Sequence, residues 1–330
     1  MSQFRIQPIR FPRRALPLRR TGVTLLVWIT LVGCSTGQPS SDGARIERIK
    51  TAHLPNAVRI HPNVVSGGLP DGEQAFLELK SLGIKTIISV DGARPDVSAA
   101  TRHGMRYVHL PHGYDGVPEN RFRELAKAVR DLPGPIYIHC HHGRHRSPAA
   151  AAVACVGAGL IERQDALTIL KVAVTDLAYL GLFQAVETAY PLDEALLDNL
   201  PGEFPTVARL PAIAEAMVEM DHRLERLQAI QRNGWVALRQ QPNRVPAHEA
   251  LLLSEHFKEL MRLPEFLKKP ADFHQFAWEG LVLSERLQAE LNATIDAEQA
   301  TRRLAEISNN CKGCHERFRD RPQIEKDILR

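Results

Sequence analysis

The 330 residues are 44% hydrophobic and 24% charged, the balance of a soluble globular chain long enough for two packed domains and unlike a disordered or low-complexity one. The formal net charge of +4 does not mark a nucleic-acid partner. Arg5, Arg10, Arg13, Arg14, Arg19 and Arg20 all fall within residues 1–33, which hold no acid, so without that segment the charge is −2 and no extended basic stripe is left.

Those arginines precede a short apolar run, Val23 to Val32, the order of a targeting segment and too short for an ordinary membrane span. Leu31-Val32-Gly33-Cys34 resembles a bacterial lipobox. The resemblance implies a lipoprotein signal peptide over 1–33, lipidation of Cys34, and a chain anchored at the periplasmic face of a bacterial membrane. Residues 34–52, rich in Ser, Gly and Pro at their start, are expected as a tether.

From 53 to 200 strand and helix patterns alternate. Short strands are expected at Val58-Arg59-Ile60, Val64-Val65-Ser66, Lys85 to Val90, Arg106 to Leu110 and Ile136 to His139. Helices are expected near Phe76 to Leu82, 119–131, 147–159, 165–174 and 182–197. This pattern predicts an α/β domain with a central sheet flanked by helices and a ligand site beyond the carboxyl ends of the strands.

At one such end stands His139-Cys140-His141-His142-Gly143-Arg144-His145-Arg146-Ser147. A cysteine leaving a strand and entering a glycine-containing loop before a helix meets backbone N–H groups and a helix N-terminus, which favour an anion and a thiolate. Arg146 can grip two phosphate oxygens with its planar fork, and the Ser147 hydroxyl can bond the sulfur. Three readings are open for His141, His142 and His145: a rim for a highly charged substrate, a metal site with Cys140, or solvated side chains. The loop resembles the signature of the protein tyrosine phosphatase superfamily, and the compact span around it is closest to the dual-specificity branch. The resemblance implies Cys140 as nucleophile, Arg146 as phosphate clamp, His141 to His145 as the phosphate-binding loop, and an Asp on an earlier loop as general acid. Asp115, between a strand and a helix, is the first candidate, although no Trp-Pro precedes it; Asp91 is the second.

Residues 201–206, with two prolines and a glycine, are expected as a linker, and 207–330 as an all-α four-helix bundle with helices near 207–231, 247–261, 272–291 and 296–318. Its last helix carries Cys311-Lys312-Gly313-Cys314-His315, the attachment pattern of a c-type haem. The segment resembles the cytochrome c prime family, which implies covalent haem c on Cys311 and Cys314, His315 as proximal iron ligand, and Met217 or Met220 as a candidate distal ligand, with core packing the other reading of either methionine. Phe273, Phe276 and Trp278 are expected against haem or core.

Together these features lead to an expected exported cysteine-dependent phosphatase. It would hydrolyse phosphomonoesters through a cysteinyl-phosphate and be fused to a haem domain that senses redox state or gas, or exchanges electrons with a redox partner. The alternative is an electron-transfer or gas-sensing cytochrome whose phosphatase-like part only binds an anion.

Overall fold

The computed structural model describes residues 46–237, 245–293 and 296–322, which fall within one compact unit. The proposed leader and Cys34 lie outside the described residues. Six strands form one mixed sheet: β1 (Glu47–Arg48), β2 (Val58–His61), β3 (Val64–Gly67), β4 (Thr86–Ser89), β5 (Arg106–His109) and β6 (Ile136–His139), in the order β1-β2-β3-β6-β4-β5. The first three pair antiparallel, and β3, β6, β4 and β5 run parallel.

β3, β4 and β6 are buried along their whole length, which accounts for their nearly continuous apolar sequences: helices cover both faces of a parallel sheet. On one face α1 (Gly72–Ser81) and α2 (Val97–Arg102) pack Phe76 and Leu79 against Ile87, Tyr107 and Tyr137. On the other lie α3 (Glu119–Asp131), α4 (Arg146–Gly157), α5 (Arg163–Ala173), α6 (Leu180–Thr188) and α7 (Glu194–Asn199), around a core that includes Ile88, Leu125, Ile138, Val153 and Ile169. The alanine run 149–152 is fully buried, and small side chains let α4 lie close to the sheet. Gly157 lets α4 lie equally close to α3, because a Cβ there would stand 2.6 Å from the Phe122 ring.

Three features of the α/β part depart from the expectations. β1 lies inside the stretch expected as tether, because Glu47 and Arg48 find partners in Arg59 and Val58 on the sheet edge. α2 has no strong apolar period; Asp96 caps it by accepting the Ala99 N–H at 2.9 Å. The single helix expected over 182–197 is two, α6 and α7, because Pro191 interrupts the run and Asp193 starts α7 by accepting N–H groups from Ala195 and Leu196.

The all-α part comprises α8 (Ala212–Arg232), α9 (Pro246–Arg262), the short α10 (Pro264–Leu267), α11 (Ala271–Asn292) and α12 (Ala297–Phe318). Leu227, Leu253, Phe257, Leu287, Leu304 and Ile307 form its buried centre. A Cβ on Gly280 would stand 2.3 Å from the Phe257 ring, so the glycine sets how closely α11 approaches α9. None of the described helices is long and apolar enough to cross a membrane.

Candidate active site

β6 is flanked on both sides, and its last residue, His139, is in register with Gly67 of β3 and Ser89 of β4. Cys140 therefore leaves the sheet in the crevice between the ends of two neighbouring parallel strands. It is 3% exposed. Its Sγ lies 3.3 Å from Ser147 Oγ, and Ser147 also reaches the Gly67 carbonyl at 2.9 Å. The buried His139 holds the strand end: Nδ1–H donates to the Cys140 carbonyl at 3.2 Å, and Tyr107 OH donates to Nε2 at 2.6 Å. Burial, the largest influence on His139, lowers its pKa to about 4, so the ring is neutral, as that bonding pattern requires.

The loop from 141 to 145 is tied down by its carbonyls. His141 O accepts from Leu69 N, His142 O from Asn56 Nδ2 at 2.8 Å, and Arg144 O from Thr175 Oγ1 at 2.6 Å. Because the two sides of a trans peptide point in opposite directions, the following N–H groups of His142, Gly143 and His145 point away from those partners, the arrangement an anion-binding loop requires. Gly143 is indispensable: its φ is +73°, and a Cβ would stand 2.3 Å from Gly68 N. The N-terminus of α4 closes the loop at Arg146.

Arg146 Nη2 donates to Asp91 Oδ2 at 2.7 Å, while Arg146 Nε is buried with no hydrogen-bond partner among the described residues. One edge of the fork is thus anchored and another N–H is available to an anion. Burial pushes the Asp91 carboxyl up, but Arg146 and the Ala93 N–H outweigh it and hold the pKa at about 2. An acid of that strength is ionised at neutral pH. Asp91, the second candidate for general acid, is thus ion-paired with Arg146.

Asp115 lies in the loop between β5 and α3, which does reach the site. Its neighbour Tyr114 packs on Arg146, with the guanidinium carbon 4.5 Å from the ring centroid. The Asp115 carboxylate folds back over Gly113, where a Cβ would stand 2.3 Å from Oδ1, and its backbone rests against Gly181. His112, in the same loop, is buried, donates from Nδ1 to the Gly113 carbonyl at 2.9 Å, and is held neutral, its pKa about 4, chiefly by burial.

The three loop histidines diverge. His145 packs on Tyr179 at 4.7 Å between centroids, and its Nδ1 accepts the Asp176 N–H. His141 and His142 face the other way, toward α8, where His141 Nε2 meets Glu225 Oε1 at 2.7 Å. A single site formed by all three with Cys140 does not exist. The helical part reaches the α/β part at other points too. Val218 would stand 3.1 Å from a Cβ on Gly92, and Arg319, just past α12, lies 4.2 Å from the Tyr114 centroid. Tyr114, Glu225 and Arg319 carry no sequence signal that links them to Cys140, since each arrives from a distant element.

A second site lies inside the helical part. Cys311, Cys314 and His315 line one cavity together with Met217, Met220, Phe273 and Phe276. Positions i, i+3 and i+4 share one face of α12. Burial pushes the thiols up, to about 11 for Cys311 and about 12 for Cys314, and lowers His315 to about 4. Two unlinked thiols and a neutral imidazole in an apolar pocket fit the donor set of a c-type haem. Both methionines line the pocket, so neither is singled out. Trp278, expected against haem or core, is 60% exposed on the outer face of α11.

Fold and site thus define an α/β domain with a strand–loop–helix anion cradle around a cysteine. Among solved structures, the chain is similar to TpbA of P. aeruginosa, with 21% identity over 46% of this chain and 93% of that one at a TM-score of 0.39. It is also similar to a DUF442 protein from Shewanella putrefaciens (21%, 42% and 92%, TM-score 0.35) and to the core catalytic domain of the PP-IP phosphatase SIW14 from S. cerevisiae (15%, 45% and 92%, TM-score 0.38). No family model and no curated protein matches the chain.

Proposed function

We propose that this chain is an exported, lipid-anchored phosphatase that hydrolyses phosphomonoesters through a cysteinyl-phosphate, joined to a four-helix domain carrying covalent haem c. The observation that carries the phosphatase reading is the assembled cradle: Cys140 at its floor, loop N–H groups turned away from the partners of the loop carbonyls, and Arg146 held by Asp91 with Nε available. Cys140 Sγ attacks phosphorus and the ester oxygen departs with the phosphorus–oxygen bond electrons, taking a proton from Asp115. Water, deprotonated by Asp115, then displaces the thiolate, which Ser147 stabilises by a hydrogen bond. The membrane anchor rests on the sequence around Cys34. A Cys140→Ser variant that hydrolyses an aryl phosphate as fast as the wild type would remove this mechanism.

Haem, bound at Cys311 and Cys314 with His315 toward the iron, would supply redox and gas-ligand chemistry. One observation favours control of the phosphatase by that chemistry over two independent activities. Met217 and Asp221 line the haem cavity, and Glu225, a further turn along α8, bonds His141 of the catalytic loop. Equal phosphatase rates with oxidised, reduced and NO-bound haem would exclude such control.

A further inference from the structure

We propose that His141, His142 and Glu225 form a binding site for a divalent transition metal of the zinc class at the seam between the catalytic loop and α8. One donor atom from each residue lies within 4.8 Å of the other two, and the imidazoles of His141 and His142 are 4.4 Å apart between centroids. The set is two nitrogens and one carboxylate. Zinc and its neighbours accept that mixture readily, whereas calcium and magnesium prefer oxygen alone.

The surroundings supply the charge a cation needs. Asp221, one turn before Glu225 on α8, interacts electrostatically with both Glu225 and His141. Two carboxylates therefore face the histidine pair before a metal enters. Binding would replace the proton that bridges His141 Nε2 and Glu225 Oε1 and release it to solvent. His142 is exposed and the other two are partly exposed, so an ion can enter and water can take the fourth position of a tetrahedral site. Cys140 is not a ligand, because its Sγ faces Ser147. The bound ion would fasten the catalytic loop to the helix that also lines the haem cavity. This assignment does not depend on the phosphatase reading.

The test uses tag-free, haem-loaded protein equilibrated with zinc, separated from free metal, and assayed by elemental mass spectrometry with iron counted separately. The wild type should retain one zinc per chain. His142→Gln and Glu225→Gln should each weaken zinc at least about tenfold, while Cys140→Ser and His145→Gln should bind as the wild type does. Because His142 is exposed, its variant should keep the wild-type haem spectrum and circular dichroism, which separates loss of metal from loss of fold. Wild-type zinc content in both His142→Gln and Glu225→Gln, loss of zinc in Cys140→Ser, or no zinc on the wild type would overturn the assignment; the last would leave a proton-bridged His141–Glu225 pair only.

Discussion

Asp91 Oδ2 accepts a hydrogen bond from Arg146 Nη2 at 2.7 Å, with both side chains largely buried. The carboxylate just past β4 thereby orients the guanidinium of Arg146, on a loop that begins at the end of β6. Breaking such a pair leaves an uncompensated buried charge.

Asp91→Asn is accordingly expected to lower stability by about 3 kcal/mol, measured by urea denaturation at neutral pH. The pH dependence has a definite sign. The folded pKa, about 2, lies below the ordinary value of 3.8, so the contribution is present above pH 3.8 and is lost as pH falls through about 2. The wild type should lose about 2 kcal/mol through this group across that window, and the Asn variant should lack that component.

Asp115 and Asp91 should separate kinetically. Asp115→Asn should slow hydrolysis of an alkyl phosphate, whose leaving group needs a proton, by about 10²–10⁴-fold. A good aryl leaving group should suffer much less when phosphorylation of Cys140 is isolated by rapid mixing. Asp91→Asn should affect both substrates alike, through weaker binding of phosphate.

Gly143→Ala should abolish phosphate binding. The left-handed φ alone costs about 1–3 kcal/mol, and the added Cβ would meet Gly68 N at 2.3 Å. Calorimetric titration with a phosphate analogue should show no binding, and the denaturation midpoint should fall.

Replacing both Cys311 and Cys314 with alanine should remove haem that survives denaturing electrophoresis. His315→Gln should leave the covalent link while changing the absorption spectrum. Met217→Leu and Met220→Leu, compared by reduction potential, should show a large shift in only one if a methionine is the distal ligand. Equal, small shifts would assign both to packing.

Much of the site was legible because it is local. A cysteine six positions before an arginine, with glycine between, can be read as a strand–loop–helix turn, and Cys311, Cys314 and His315 must share a helix face. The break at Pro191 was not read, because the apolar pattern continues on both sides of it. β1 was not legible, since two residues become a strand only through an edge that accepts them.

From the sequence alone followed the cradle from Cys140 to Ser147 and the helical Cys311–Cys314–His315 face, since backbone geometry places residues a few positions apart. Only the tertiary structure made Asp91 an anchor for Arg146 across 55 positions and brought Glu225 to His141 across 84. Those meetings depend on strand order and on where α8 docks, and both are settled by the burial of apolar faces far from the residues that meet.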